Sequence, residues 1–367
     1  MDINYNLTLI LMVTSVIIII FYNIYFFFRI SRFRNKYTSN FNDPISVIIC
    51  AKNEGNNLSI HLPKILNQNY NDYEVIVVND QSNDDTKIVL ENFKKKYKRL
   101  KIVNIDLNVK HRVGKKFALT LGIKSSKYNY VLLTDADCFP TSKNWINDMV
   151  GSFNKHDIVL GFGNYEKTNS FLNKLIRFDT YIIAKQYFAY CLAKIPYMGV
   201  GRNLGYKKSL FFENKGFANN IHIPSGDDDL FIQDIANSNN CSINTSSHTV
   251  SKVINKWNEW IYQKRRHIST SKYYQNKFKI LLFLYPFSKI LLLISTSFHL
   301  IFSINMLSTY ITLLIYLLLT YVVNYKPMKK LNSFDLYFIH PILDFINIFV
   351  QSIFTLYNTI NQPKNWK

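Results

Sequence analysis

The sequence predicts an α/β fold: a mostly parallel sheet with flanking helices, framed by transmembrane helices near both ends. Three observations carry this. Short β-branched runs alternate with helix-period stretches between residues 44 and 278, the grammar of a doubly wound sheet. An uncharged stretch of 22 residues, "LTLILMVTSVIIIIFYNIYFFF" (7–28), precedes them, long enough to cross ~30 Å of hydrocarbon. Beyond residue 278 the chain is again largely apolar.

The first stretch reads as an uncleaved anchor over residues 1–30. A signal peptide would want a basic start, a shorter apolar run and a small-residue cleavage site, whereas this chain starts "MDINYN" and the long run ends in aromatics. Arg29, Arg32, Arg34 and Lys36 follow and predict a cytoplasmic location for what comes next, on the inner membrane of the cell. In the C-terminal region, 279–367, "KILLFLYPFSK" (279–289) is expected to break at Pro286 and lie on the interface. Residues 290–323 are expected to form a helical hairpin hinged near Ser303–Asn305, and "YKPMKK" (325–330) returns to the basic side. Residues 336–357 contain His340, Pro341 and Asp344 and read as an interfacial or re-entrant segment, since a crossing would leave "QPKNWK" outside, against the positive-inside rule.

The region 44–278 is expected to be the cytoplasmic domain. "ISVIIC" (45–50) is a buried strand and a helix follows at 57–67. "EVIVVND" (74–80) is a second strand. "DDTKIVLENFKKKY" (84–97) is a helix with acids first and bases last, matching its dipole. "LKIVNID" (100–106) is a third strand, "GKKFALTLGIKSS" (114–126) a helix opened by Gly114, and "YVLLTDAD" (130–137) a fourth strand. Ligands of such sheets bind beyond the carboxyl ends of the strands, where Lys52–Glu54, Asp80, Asp135 and Asp137 fall.

Composition excludes several classes. The net charge is +20, from 44 Lys+Arg against 24 Asp+Glu. The bases gather beside apolar runs, as in "FRISRFRNKY" (28–37), which favours a membrane surface and phosphates over nucleic acid. Cys50, Cys138, Cys191 and Cys241 form no CxxC, so neither zinc nor a disulfide framework is indicated. The fingerprint GxGxxG is absent after the first strand; "GFG" (161–163) and "GVGRN" (199–203) are isolated, which argues against NAD chemistry.

Each polar cluster has a structural and a chemical reading. Asp135 and Asp137 could cap a turn at a strand end, or hold Mg²⁺ or Mn²⁺ with phosphate oxygens completing the shell. Asp227, Asp228 and Asp229 in "PSGDDDLFIQDI" (224–235) could cap a helix; crowding also raises carboxyl pKa values, which suits a general base. "WNEWIYQKRRHIST" (257–270) could be an interfacial helix resting on Trp257 and Trp260, or could bring an arginine or glutamine to a diphosphate or an acceptor. Asp80 alone reads as a turn residue. Lys115 reads as a solvated lysine, or as one reaching a phosphate from a helix start.

Taken in order, "PISVIICAKNEGNNL", "VIVVNDQSNDDT", "GKKFAL", "LLTDADCFP", "GVGRNLGYKKSLFFENKGF", "SGDDDLF" and "QKRRH" resemble family 2 glycosyltransferases of the membrane-anchored bacterial type, over about 44–270. The resemblance implies a Rossmann-like GT-A fold. It implies that Glu54 and Asp80 hold the nucleotide, with Asp80 on uracil, and that Lys115 lies near the diphosphate. Asp135 and Asp137 match the DXD acids, which hold the divalent metal. Arg202 and Asn203 stand in the acceptor-side segment (201–211). In the acid triplet Asp228 matches the base as the end of a GDD, with Asp229 next and Asp227 in the same cluster. Gln263, Arg266 and His267 match QxxRW, except that His267 replaces the tryptophan. That tryptophan helps processive synthases hold a growing chain, so the change points away from processive synthesis.

The expected activity is an inverting, metal-dependent transfer of one sugar from a nucleotide sugar, UDP-linked, to a lipid-linked or membrane-surface glycan acceptor. A polysaccharide synthase acting with a membrane partner subunit is the alternative within the class. A nucleotidyltransferase would release pyrophosphate instead of UDP, and a non-catalytic membrane scaffold would release neither.

Overall fold

The computed structural model describes residues 2–35, 41–105, 114–361 and 363. Lys36, Asp106 and all of the closing "QPKNWK" but Pro363 lie outside them. An opening helix, α1 (Asp2–Phe21), runs through a π-helical turn (Tyr22–Phe27) into α2 (Phe28–Arg32). Then come β1 (Ile45–Ala51), α3 (Gly55–Leu66), β2 (Tyr73–Asp80), α4 (Thr86–Lys96), β3 (Leu100–Ile105), α5 (Lys115–Ser125) and β4 (Tyr130–Asp135). These are the elements anticipated from the alternation of β-branched and helix-period runs. After them stand β5 (Cys138–Pro140), α6 (Trp145–Val150), β6 (Ile158–Tyr165), α7 (Phe171–Leu192), β7 (Leu204–Lys207), α8 (Lys208–Glu213), α9 (Asp229–Ile235) and β8 (Cys241–Ser251). The chain continues with α10 (Trp257–Ser269), α11 (Asn276–Ile301), α12 (Met306–Lys330) and α13 (His340–Ile360).

Eight strands form one sheet in the order β3-β2-β1-β4-β7-β6-β8-β5. The first four are parallel. The second half is mixed: β7 runs antiparallel to β4 and β6, and β5 runs antiparallel to β8. Every residue of β1 is buried, because both faces of the sheet are covered. Val47 and Ile49 join the cluster under α3 and α6, while Ile48 and Cys50 join the one that includes α5 and α7. This is the period-2 alternation of a central strand. The register pairs Cys50 with Asp135 on β4 and Ala51 with Asn79 on β2. Asp80 and Asp135 therefore emerge at the same edge, on either side of β1. β4 stops at Asp135, two residues short of its expected end, and Ala136-Asp137 turn the chain into β5.

Among the described residues three helical stretches are long and apolar enough to cross a membrane: Asn6–Arg32, Asn276–Ile301 and Met306–Lys330. The break expected at Pro286 is absent, since α11 is one helix. Pro286 removes the N–H that would bond the Leu282 carbonyl, and one residue earlier the Leu281 carbonyl accepts from the hydroxyls of Tyr22 (2.8 Å) and Tyr190 (3.2 Å), which tie this part of α11 to its neighbours. The last helix, α13, buries Leu343, Asp344, Asn347 and Ile348 on one face. On the other, Ile353, Leu356 and Ile360 are 60, 68 and 85 % exposed.

Candidate active site

At the carboxyl edge of β1 and β4 lies a cavity of about 410 Å³. Its floor is the acid set after the strands. Lys115, the first residue of α5, lies in it because Gly114 turns the backbone at φ +129°, a conformation that only glycine adopts easily. The Lys115 ammonium stands 3.0 Å from Asp135 Oδ1 and 3.1 Å from Asp227 Oδ2. One cation thus joins the two acid clusters, 92 residues apart in sequence. Burial alone would lower the pKa of Lys115; Asp135, Asp227 and Asp228 outweigh it and hold the ammonium well above its usual range.

The three acids of the triplet do different things. Gly226, at φ +92°, bends the chain into them. Asp228 caps α9, its Oδ1 accepting from the Asp229 N–H at 2.8 Å and its Oδ2 from the Gly201 N–H at 2.9 Å. Burial, then the charges of Asp227 and Asp229, push its pKa up to about 7. Asp229 is engaged elsewhere. Its Oδ2 accepts from Thr270 Oγ1 at 2.5 Å and Tyr274 Oη at 2.6 Å, and its Oδ1 accepts from the Leu230 N–H. It anchors the chain just after α10.

Asp135, Asp137 and Cys138 offer donor atoms within 4.8 Å of one another. Burial and the charges of Asp135 and Glu54 raise the pKa of Asp137, the mark of carboxylates gathered with too little positive charge. Burial, then Asp137, keeps the Cys138 thiol protonated well above its ordinary range. Two carboxylates beside an inert thiol fit a hard cation that completes its shell with other oxygens. Asp135 and Asp137 would hold it; Lys115 now covers the Asp135 carboxylate.

Glu54, in the same cavity, accepts from Asn57 Nδ2 at 2.6 Å. Asp80 lies to one side. It is fully buried, and neither carboxylate oxygen has a hydrogen-bond partner among the described residues; burial raises its pKa against the pull of Lys52. Such a group costs stability unless a ligand donates to it. Arg202 donates to Ser251 Oγ at 3.2 Å and stacks over the Tyr165 ring at 4.6 Å. Asn203 differs from expectation. Its amide accepts from Trp145 Nε1 and donates to the Phe162 and Ser247 carbonyls, which uses it inside the protein and leaves nothing for an acceptor.

The opposite wall is α10. Gln263 accepts from Tyr165 Oη at 3.1 Å, and Arg266 and His267 line the cavity. His267 reaches open space there; the enclosing walls, then Arg266 and Lys264, hold its pKa well below the usual range. Sequence reasoning missed what holds this helix. The buried Lys264 ammonium meets both oxygens of Asp179 on α7 at 2.7 Å, and Gln351 of α13 donates to the same carboxylate at 2.9 Å. Gln351 and Thr355 complete the wall. A buried charge within an apolar helix, as at Asp179, was the one available signal.

Residues 46–213 match the family model Glycosyl transferase family 2. An uncharacterized glycosyltransferase of Haemophilus influenzae is 32% identical over 143 residues, 39% of this chain and 41% of that protein. A poly-beta-1,6-N-acetyl-D-glucosamine synthase of Staphylococcus epidermidis is 36% identical over 93 residues, 25% of this chain and 21% of the synthase. The chain therefore spans less than half the length of either relative. Among solved structures, a mannosyltransferase, PcManGT from Pyrobaculum calidifontis in complex with GDP-Man and Mn2+, superposes with a TM-score of 0.61 at 16% identity, covering 96% of this chain and 99% of that one. That likeness is one of fold, and it extends through the apolar helices. Residues 46–213, which run from β1 to β7 and on through α8, are therefore a family 2 glycosyltransferase domain, and the fold around them is of the GT-A type.

Proposed function

We propose that the chain transfers one sugar from a nucleotide sugar, UDP-linked, to a hydroxyl on a lipid-linked or membrane-surface acceptor, with inversion, at the cytoplasmic face of the inner membrane. The observation that supports this most is the Lys115 bridge. It brings the DXD acids, where a leaving diphosphate belongs, to the acids beside which a base belongs. In this reading Asp80 and Glu54 bind the nucleotide, with the unpartnered Asp80 carboxylate accepting from the base. Asp228 takes the proton as the acceptor oxygen bonds to the anomeric carbon, and the bond to the diphosphate breaks with its electron pair leaving on UDP. A single displacement, with the acceptor oxygen entering opposite the departing diphosphate, inverts the centre. Asp227 tunes Asp228, and Asp229 positions it. Gln263, Arg266 and His267 face the diphosphate and acceptor, with Arg202 beside them. A divalent cation, when bound by Asp135 and Asp137, supplies positive charge that offsets the diphosphate.

A donor panel with a membrane extract, read by mass spectrometry, tests the reading: UDP release coupled to a sugar-bearing lipid or glycan is expected, and Asp228→Asn abolishes both. Pyrophosphate release would sink it. A second reading, a polysaccharide synthase acting with a membrane partner, draws on the likeness to the Staphylococcus synthase. A long polymer from the purified chain would select it; His267 in place of the bulky aromatic disfavours it.

A further inference from the structure

We propose that the acceptor is a membrane lipid whose neutral hydroxyl headgroup sits directly beside its apolar chains, and that it reaches Asp228 along the side of the cavity walled by α7, α11 and α13. This rests on the transferase reading above.

The first argument is position. From these helices Ile176 and Ile183 of α7 and Leu282 of α11 line the cavity, beside the polar Asp179, Thr180 and Gln186 of α7 and Gln351 and Thr355 of α13. Leu282 belongs to a stretch apolar enough to cross a membrane, so this wall stands where that stretch enters the bilayer. The outer face of α13 carries Ile353, Leu356 and Ile360 with most of their surface uncovered. A helix polar toward a cavity and apolar on its free face lies in a lipid interface. One helix thus separates the cavity from that apolar face, and Ile176, Ile183 and Leu282 give the lining its apolar part.

The second argument is charge. Among the described residues, seven acids line the cavity, Glu54, Asp135, Asp137, Asp179 and the triplet at 227–229, against four bases, Lys115, Arg202, Lys264 and Arg266. Lys115 is already shared by Asp135 and Asp227, and Lys264 is held by Asp179. A donor diphosphate that arrives with a divalent cation leaves this balance as it was. A phosphate on the acceptor would add negative charge to a cavity whose described acids already outnumber its described bases, in a place where water screens poorly. A neutral hydroxyl adds none. It also needs what the cavity has, a carboxylate to receive its proton, whereas an ionised lipid phosphate would have no proton to give. The O–H bond breaks toward Asp228 as the new C–O bond forms and the C–O bond to the diphosphate opens.

The test uses the full-length chain in phosphatidylcholine vesicles. Membrane lipids are separated by anion exchange into neutral and acidic fractions, each added to vesicles at equal mole fraction. A water-soluble polyol-phosphate polymer serves as a third acceptor. UDP- and GDP-sugars are supplied as donors, and lipid-linked sugar and free nucleotide diphosphate are both measured. The expected result is a sugar-bearing neutral lipid formed at least ten-fold faster than any product from the acidic fraction or the polymer. Equal or faster transfer to an acidic lipid or to the polymer overturns the proposal. Nucleotide diphosphate released to water without any lipid product also overturns it, while leaving the transferase reading standing. No release from any donor defeats both.

Discussion

Replacing Asp228 with asparagine should weaken catalysis and stabilise the protein at once. The carboxyl titrates at about 7 in the fold, against an ordinary 3.8, because it is buried among Asp227 and Asp229. An acid whose pKa is raised on folding costs stability once it ionises. The cost is absent below pH 3.8, where both states are protonated, grows as pH rises, and is complete above 7. A rise of that size corresponds to roughly 4 kcal/mol as a ceiling, shared among the neighbouring acids. Asparagine removes that cost but can turn a donor toward the Gly201 N–H, losing about 1–3 kcal/mol. The net expectation at pH 8 is a gain of about 1–3 kcal/mol, a few degrees in apparent melting temperature at fixed scan rate. At pH 4 only the loss remains, so the variant should melt no higher than wild type. Sugar transfer should fall by about 10²–10⁴. Wild-type activity should rise with pH through 7 and then level off, as for a base that must be ionised. Differential scanning fluorimetry at both pH values and initial rates from pH 5.5 to 8.5 measure all of this. A variant that melts lower by the same amount at pH 4 and pH 8 would refute the idea of a carboxylate held against its own charge.

Four other outcomes follow from the same geometry. Asp229→Asn should lower the melting temperature, because the Thr270 and Tyr274 hydroxyls lose a charged acceptor; about 2–4 kcal/mol is expected, measured by thermal melts. Lys115→Met should raise the KM for the donor by at least ten-fold, as Asp135 and Asp227 lose their shared cation; steady-state kinetics read this. Chelation with EDTA should stop transfer and added Mn²⁺ should restore it, whereas Asp137→Asn should need far more Mn²⁺ for half-maximal rate. The ion pair between Lys289 and Asp344, both nearly inaccessible, should make Asp344→Ala lose about 3–5 kcal/mol in detergent melts, while Lys289→Met with Asp344→Leu regains most of it.

The first half of the sheet was legible because its signals are local. A β-branched run makes a two-faced strand, and the acids after such strands fall at the ligand edge by topology. Legibility failed where a residue's role depends on a distant partner. Nothing near Asp229 says that Thr270 and Tyr274 claim it, so the difference in partners between Asp228 and Asp229 had to wait for the fold. Asn203 stands in a motif-like string, yet Trp145 and two carbonyls use its amide. Lys264 lies beside Gln263 in sequence and has a different task, set by Asp179 and Gln351. The turn at Ala136-Asp137 reads as strand because period 2 suits both acids. Pro286 misleads for the opposite reason: local chemistry predicts a break, and tyrosine hydroxyls from two other helices hold the adjoining turn at the Leu281 carbonyl.

Gln351 and Thr355 also bear on how the protein can be cut. All the acids, Lys115 and the helix with Gln263 precede residue 278, and a chain ended there would look like a self-contained enzyme. It would lose the amide that donates to Asp179 and the part of the cavity lining that Leu282, Gln351 and Thr355 supply. Such a fragment could still recognise a nucleotide while having no fixed place to receive an acceptor. In this protein the part that resembles an anchor also closes the cavity of the candidate site.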